Sequence, residues 1–226
     1  MKNLHRIDEI SKVIRKCQRN WDLSKTIPEK HIEYLSHVAK NAPSKQDEAY
    51  FDLAIITSRN IIDQIHDRSI GFSWFDDAGN PLPSIRNPQT AANMLFIWFK
   101  KTPPTMRNHY QNQPGHHAPN PNEKDGAPKR QDDPNRKDNA TVSVGISLGV
   151  TAWAAAELGY VTGFSKNLGD HHDLKLLLNL NLELEPTYSL GIGFPDENLP
   201  HNVSHEGNEY PSFSQYEKEI NIYEYK

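Results

Sequence analysis

Apolar residues recur at helical spacing in three stretches of the first third of the chain. Ile7, Ile10, Val13 and Ile14 predict a helix over Ile7–Arg15. Ile32, Leu35, Val38 and Ala39 form the inner face of a second helix. The capping-box spelling Thr26-Ile-Pro-Glu29 starts it, and Pro43 stops it by Asn41 or Ala42. Ile61, Ile62 and Ile65 give a third over Ser58–His66. Phe51–Thr57 is apolar and β-branched, and the unbroken run Met94–Phe99 is a second strand candidate, with a helical reading for Gln89–Leu95 before it. Gly71–Pro83 reads as loop and turn. Further on, Ala140–Leu158 predicts a long helix closed by Gly159. Asp170 caps a short helix carrying Leu174, Leu177 and Leu178. Tyr188–Phe194 is a strand that Gly191 and Gly193 make thin on one face. The tail turns apolar again only at Ile220–Tyr225, whose alternation predicts a strand that needs a sheet edge in this subunit or another.

The pattern fails over Thr102–Asn139. These 38 residues hold seven of the chain's 16 prolines and only Met106, Tyr110, Ala118 and Ala127 from the apolar set. Six Lys/Arg face five Asp/Glu, so the segment is nearly neutral. It cannot bury enough surface to offset its chain entropy. We expect a polar insertion within one domain of 226 residues, because neither flank looks independent.

Composition narrows the classes. The net charge of −4 gives no reason to expect nucleic acid as a partner. One cysteine, Cys17, excludes a disulfide scaffold and a cysteine-based zinc site, and suits a reducing compartment such as the cytoplasm. Met94–Phe99 is the longest uninterrupted apolar run, so no membrane partner is expected. The histidine pairs His116-His117 and His171-His172 do not imply a metal. Adjacent side chains on a helix do not converge on one ion, and Asp170 and Asp173 suit the cap and first turn of a helix. The long helix is rich in small residues, Gly145, Ser147, Gly149, Ala152 and Ala154–Ala156 among them. Two interior glycines cost roughly 1 kcal/mol each against alanine, which close approach of another backbone would offset.

Four stretches, in order, resemble the nitroreductase family of FMN-dependent oxidoreductases. Ile14-Arg-Lys-Cys-Gln-Arg-Asn-Trp21 is similar to the family's phosphate-binding segment, and Ala42-Pro-Ser-Lys-Gln-Asp47 to its turn before a strand. Val144–Gly159 is similar to its long central helix. Leu174–Leu178 with Leu190-Gly-Ile-Gly-Phe-Pro195 resembles its Leu-Leu segment and strand end. The resemblance implies an α+β fold, with a mixed, mostly antiparallel sheet flanked by helices, in an intertwined homodimer. The small-residue helix would lie at the interface, and an arm over about 196–226 would exchange between subunits.

The resemblance also implies a flavin site. Arg15, Lys16, Cys17 and Arg19 would hold the FMN phosphate, which carries close to two negative charges; Cys17 stands where the family has serine. Ser44, Lys45, Gln46 and Asp47 would reach the flavin from the partner subunit, Asp47 standing where asparagine is usual. Arg86 and Asn87 would meet the pyrimidine edge, and the backbone N–H of Lys166 or Asn167 would face flavin N5. Family members often complete the phosphate site with a Lys or Arg after the strand ending at Pro195. Here none occurs before Lys218, which leaves His201 and His205 as partial substitutes. The activity implied is hydride transfer from NADH or NADPH through FMN to a small electron acceptor such as a nitroaromatic, a quinone or an enone. No side-chain acid or base is required. The substitutions at the site keep two alternatives open, a flavin-binding or flavin-sequestering protein without turnover and a dimeric scaffold whose cofactor site has decayed.

Overall fold

The structure, a computed structural model, describes residues 2–44, 49–71, 78, 80, 86–101, 134–210 and 220–224. Four strands form one sheet in the order β1-β2-β4-β3, with β1 Phe51–Ile56, β2 Met94–Lys100, β3 Val161–Ser165 and β4 Glu185–Gly193. Every pairing is antiparallel, so among the described residues the sheet is not mixed as expected. Helices α1 Lys2–Arg15, α2 Glu29–Lys40, α3 Arg59–Arg68, α4 Pro134–Glu157 and α5 His171–Leu177 flank it.

β2 is buried on both faces, which explains its unbroken apolar run. Met94, Phe96 and Trp98 point to one side with Leu190 and Ile192, against Leu35 and Ala39 of α2 and Val144, Ala154 and Ala155 of α4. Leu95, Ile97 and Phe99 point to the other, with Ile62 and Ile65 of α3, Leu174 of α5 and Trp21. The two-residue period of one strand thus sorts two cores. Taken alone, α4 is long and apolar enough over 138–157 to cross a membrane, but it packs against α1, α2 and the sheet. Its buried hydroxyls are satisfied: Trp98 Nε1 donates to Ser147 Oγ at 2.9 Å, and Ser147 Oγ donates to Ala39 O at 2.7 Å.

Several elements depart from the sequence reading. α1 starts at Lys2 rather than Ile7, with Arg6 ion-paired to Glu157 across to α4. The apolar period marks only the turns that pack. α2 starts at Glu29 behind Pro28, and no side chain caps it, so the Thr26 capping box does not form. α4 starts at Pro134, six residues before the predicted start, with the proline in the first turn, where its missing N–H has no cost. The helical reading of Gln89–Leu95 shrinks to a 3-10 turn over Pro88–Ala91. β4 begins before Pro186, at a register shift opposite Trp98 and Phe99 where the ladder is already interrupted. β3 was not expected as a strand. Its glycine and polar residues hide the alternation, and Gly163 is required for packing (below). Residues 220–224 are exposed and in no strand of this chain. Among the described residues nothing lies within 4 Å of a Cβ placed on Gly145 or Gly149. Gly71–Pro83 lies almost wholly, and 102–133 entirely, outside the described residues.

Candidate functional site

The chain leaves α1 at Arg15 and crosses the face of the edge strand β3. Gln18 N donates to Thr162 O at 2.9 Å. Contact is so close that a Cβ on Gly163 would lie 2.5 Å from Gln18 O and 2.8 Å from Gln89 Cγ. On the neighbouring strand a Cβ on Gly191 would lie 2.3 Å from Gln89 O. The thin face read from the sequence is therefore where residues 17–21 and the 3-10 turn lie against the sheet. Cys17 is half-buried here. Its Sγ accepts from Gln89 Nε2 at 3.5 Å and donates to Phe164 O at 3.8 Å.

The cations of this crossing have no counter-charge among the described residues. Among the described residues Arg15, Lys16 and Arg19 have no carboxylate in ion-pair distance, whereas Arg6, Lys12, Lys25, Arg59, Lys100 and Lys101 each sit against an acid. Arg15 and Lys16 are exposed and Arg19 is half-buried. The Arg19 guanidinium stacks 5.1 Å from the centre of the Tyr210 ring, and its Nη1 donates to Cys17 O at 3.3 Å. Its Nε is shielded from solvent and has no hydrogen-bond partner among the described residues.

The tail returns to the same place. Asn20, fully buried, donates from Nδ2 to Pro200 O at 2.6 Å and to Val203 O at 2.9 Å, while its Oδ1 accepts from Asp196 N at 3.2 Å. Arg19 N donates to His201 O at 3.0 Å. Trp21 N donates to His205 Nε2 at 2.7 Å, so that nitrogen carries no proton and His205 serves the fold. His201 is half-buried beside Lys16 and Arg19. Burial first, then these two charges, hold its imidazole pKa below the ordinary histidine value.

Asn87 and the β3–α5 loop complete the cluster. Asn87 Nδ2 donates to Ser165 Oγ and, at 3.2 Å, to Asn167 O; its Oδ1 accepts from Gln89 N at 3.1 Å. Its backbone N donates to Ser69 Oγ at 2.9 Å. All its polar atoms are engaged, and it caps the 3-10 turn. Arg86 is exposed and pairs with Asp67 at 3.0 Å and Glu206 at 4.0 Å. Lys166 and Asn167 are exposed, and Asn167 N already donates to Ser165 Oγ at 3.1 Å.

Hydrogen bonds thus join Cys17 to Arg19, Gln89 and Phe164, and buried Asn87 to Ser165 and Asn167; Arg15, Lys16 and Lys166 are exposed beside these segments, and Arg86 is turned to Asp67 and Glu206. Ser44 is not among them, at the end of α2's exit, and Lys45, Gln46 and Asp47 lie outside the described residues. The sequence reading did not single out Gln89 or Tyr210, which touch Cys17 and Arg19. Asn20 ties the crossing to the tail: it is fully buried and bonds to Asp196, Pro200 and Val203 as well as to Gln18.

No protein-family profile matches the sequence, and no curated protein matches it. Solved structures do match. A nitroreductase family protein from Streptococcus pneumoniae TIGR4 is 13% identical with a TM-score of 0.58, covering 86% of this chain and 92% of that one. An FMN-dependent nitroreductase from Clostridium difficile R20291 is 10% identical with a TM-score of 0.56, covering 96% and 98%. A candidate nitroreductase from Exiguobacterium sibiricum 255-15, solved in complex with FMN, is 14% identical with a TM-score of 0.60, covering 86% and 90%. At the level of architecture, the chain has the fold of the nitroreductase family proteins.

Proposed function

We propose that the chain is an FMN-dependent oxidoreductase of nitroreductase type, working as a homodimer on a small electron acceptor. The observation that carries this reading is the run Arg15, Lys16 and Arg19, without an ion-pair partner among the described residues, set on the thin face of a nitroreductase-type sheet. The donor set fits a phosphate monoester. Two guanidiniums and an ammonium lie within five residues, no acid among the described residues pairs with them, and Arg19 stacks on Tyr210 with its Nε unpartnered among those residues.

In this reading Arg15, Lys16 and Arg19 hold the phosphate. FMN, if bound there, would supply two-electron redox chemistry between NADH or NADPH and the acceptor. The chain's own residues bind and orient. The β3–α5 loop is fixed through Asn87 and Ser165, which presents its backbone at a constant position. Because Asn167 N–H is engaged by Ser165 Oγ, we assign the donor toward N5 to Lys166 N–H. Arg86 puts a cation near the same loop, where negative charge builds on reduction. Ser44 and the residues after it serve the partner's site.

The homodimer reading is supported by α4. Val142, Ile146 and Val150, spaced four apart, are 59%, 38% and 40% exposed, with Gly145 and Gly149 open beside them. That stripe suits a second copy whose backbone approaches closely. Exposed Ile220 and Ile222 in the tail suit the same partner.

Binding tests the site. FMN added to the protein is expected to bind with its fluorescence quenched, and Arg19→Ala should weaken binding by roughly 1–3 kcal/mol. Unchanged affinity in the variant, with the oligomer intact, refutes the assignment.

A further inference from the structure

Residues 196–210 lie on the crossing as a strap with structure of its own. Val203 bridges Glu209, Ser204 N donates to Asn208 O and Tyr210 N to Asn202 O, both at 2.9 Å, and Gly207 makes the turn with a φ of 80°. Hydrogen bonds fasten this strap to residues 19–21. Four of them end on amide oxygens: Arg19 N on His201 O, Asn20 Nδ2 on Pro200 O and on Val203 O, and Asp196 N on Asn20 Oδ1. Another ends on an imidazole, where Trp21 N donates to His205 Nε2 at 2.7 Å. We propose that His205 is a proton-operated latch. On taking a proton from water at Nε2 it lets go of Trp21 N–H and pairs with Asp196, which frees the strap from residues 19–21 and loosens the seat of Arg19.

The geometry gives the ring two partners, one for each charge state. A backbone N–H only donates, so the bond from Trp21 fixes the neutral tautomer with its proton on Nδ1, 4.0 Å from Asp196 Oδ2. An imidazolium carries a proton on both nitrogens and accepts nothing. Protonation therefore sets one N–H against another and leaves the amide of Trp21, a residue 1% exposed, without its acceptor. Asp196 offers the charged ring a place. Its Oδ1 accepts from Asn198 N at 2.9 Å and from Asn198 Nδ2 at 3.0 Å, while Oδ2 faces His205. The neutral ring thus ties the strap to the crossing, and the charged ring pairs within the strap. Charged and titratable groups surround it on three sides: Asp196, Glu197, His201, Glu206 and Glu209 on the strap, Lys16, Arg19 and Asp22 on the crossing, His66, Asp67 and Arg86 beyond. Among the described residues Asp196 alone comes within ion-pair distance of the ring. Asp22 is held by Ser24 and Lys25, and Asp67 and Glu206 turn to Arg86. Imidazoles change charge between pH 5 and 8, a range in which the amide oxygens of the other fastenings do not titrate.

Amide hydrogen exchange of the whole chain, followed by NMR as protection factors at pH 8.0 and pH 5.5, tests the latch. The amides of Arg19 and Trp21 are expected to lose about tenfold in protection at the lower pH. Two other amides serve as references and should keep theirs: Gln18, bonded to Thr162 O of β3, and Tyr210, bonded to Asn202 O inside the strap. In His205→Gln, whose Oε1 accepts at any pH, the protection of Arg19 and Trp21 should be flat. Wild-type protection at Trp21 that does not change, or that falls equally in the variant, overturns the proposal. So does a loss confined to Trp21 with Arg19 unchanged, and so does a loss shared by Gln18 and Tyr210, which marks a general loosening. A further readout needs no variant to fold. In nitrogen-15 NMR of wild type at pH 8.0, the His205 ring should carry its proton on Nδ1; a proton on Nε2 contradicts the latch. The latch does not depend on what the neighbouring cations bind.

Discussion

Asn87 stands before a proline, is 4% exposed, and connects four elements through its own atoms. Its carbonyl meets His66 Nδ1 at 3.1 Å, and since a carbonyl only accepts, that nitrogen carries the imidazole proton. Asn87→Ala removes the bonds to Ser165, Asn167 and Gln89 from a buried place. It should cost roughly 1–3 kcal/mol in denaturant unfolding and speed amide exchange at Lys166 and Asn167. Full protection of that loop in the variant would contradict its anchoring. His66 gives a pH prediction. Burial above all holds its pKa below the ordinary value, against the raising effect of the Asn87 carbonyl. The unfolded chain therefore binds a proton at His66 that the folded one refuses. Stability present above about pH 6.5 is lost as pH falls toward the folded value. His66→Gln should flatten that slope in unfolding midpoints between pH 7 and 5; an unchanged slope sinks the point. At this scale the sequence was partly legible. The cation run was readable because its charges stand alone. Asn87 was ambiguous, since a cap before proline and a ligand-facing amide are spelled alike.

Elements were legible where burial is one-sided or complete. β2 reads directly as a strand because both faces are core, and α2 and α3 read from their period. β3 was hidden because its packing partner is the backbone of Gln18, which asks for glycine rather than for an apolar side chain. Gly163→Ala should push residues 17–19 off β3, destabilising the fold by roughly 1–3 kcal/mol and weakening FMN binding together. Retained stability and retained affinity would show that the crossing adapts. Ser147 makes the matching case for α4. Ser147→Ala leaves Trp98 Nε1 buried without an acceptor and should cost roughly 1–3 kcal/mol. The start of α4 was missed because Pro134–Asn139 is polar in sequence and carries no apolar period.

The whole molecule shows why 36% apolar composition supports this fold. The two cores are built on one short sheet, and the polar residues cluster in connections. Among the apolar positions that the described residues leave open are the outer stripe of α4 and Ile220 and Ile222 of the tail. Ile146→Glu should therefore yield a monomer by sedimentation, with the antiparallel sheet intact. A dimer that survives this charge would contradict the α4 interface. The most direct test of the central claim is an anaerobic titration of FMN-loaded protein with NADH and then NADPH, followed at the flavin absorbance band. The account predicts that the band bleaches with one equivalent of at least one donor and returns when a nitroaromatic or quinone is added. A protein that holds FMN whose band neither donor bleaches would contradict it.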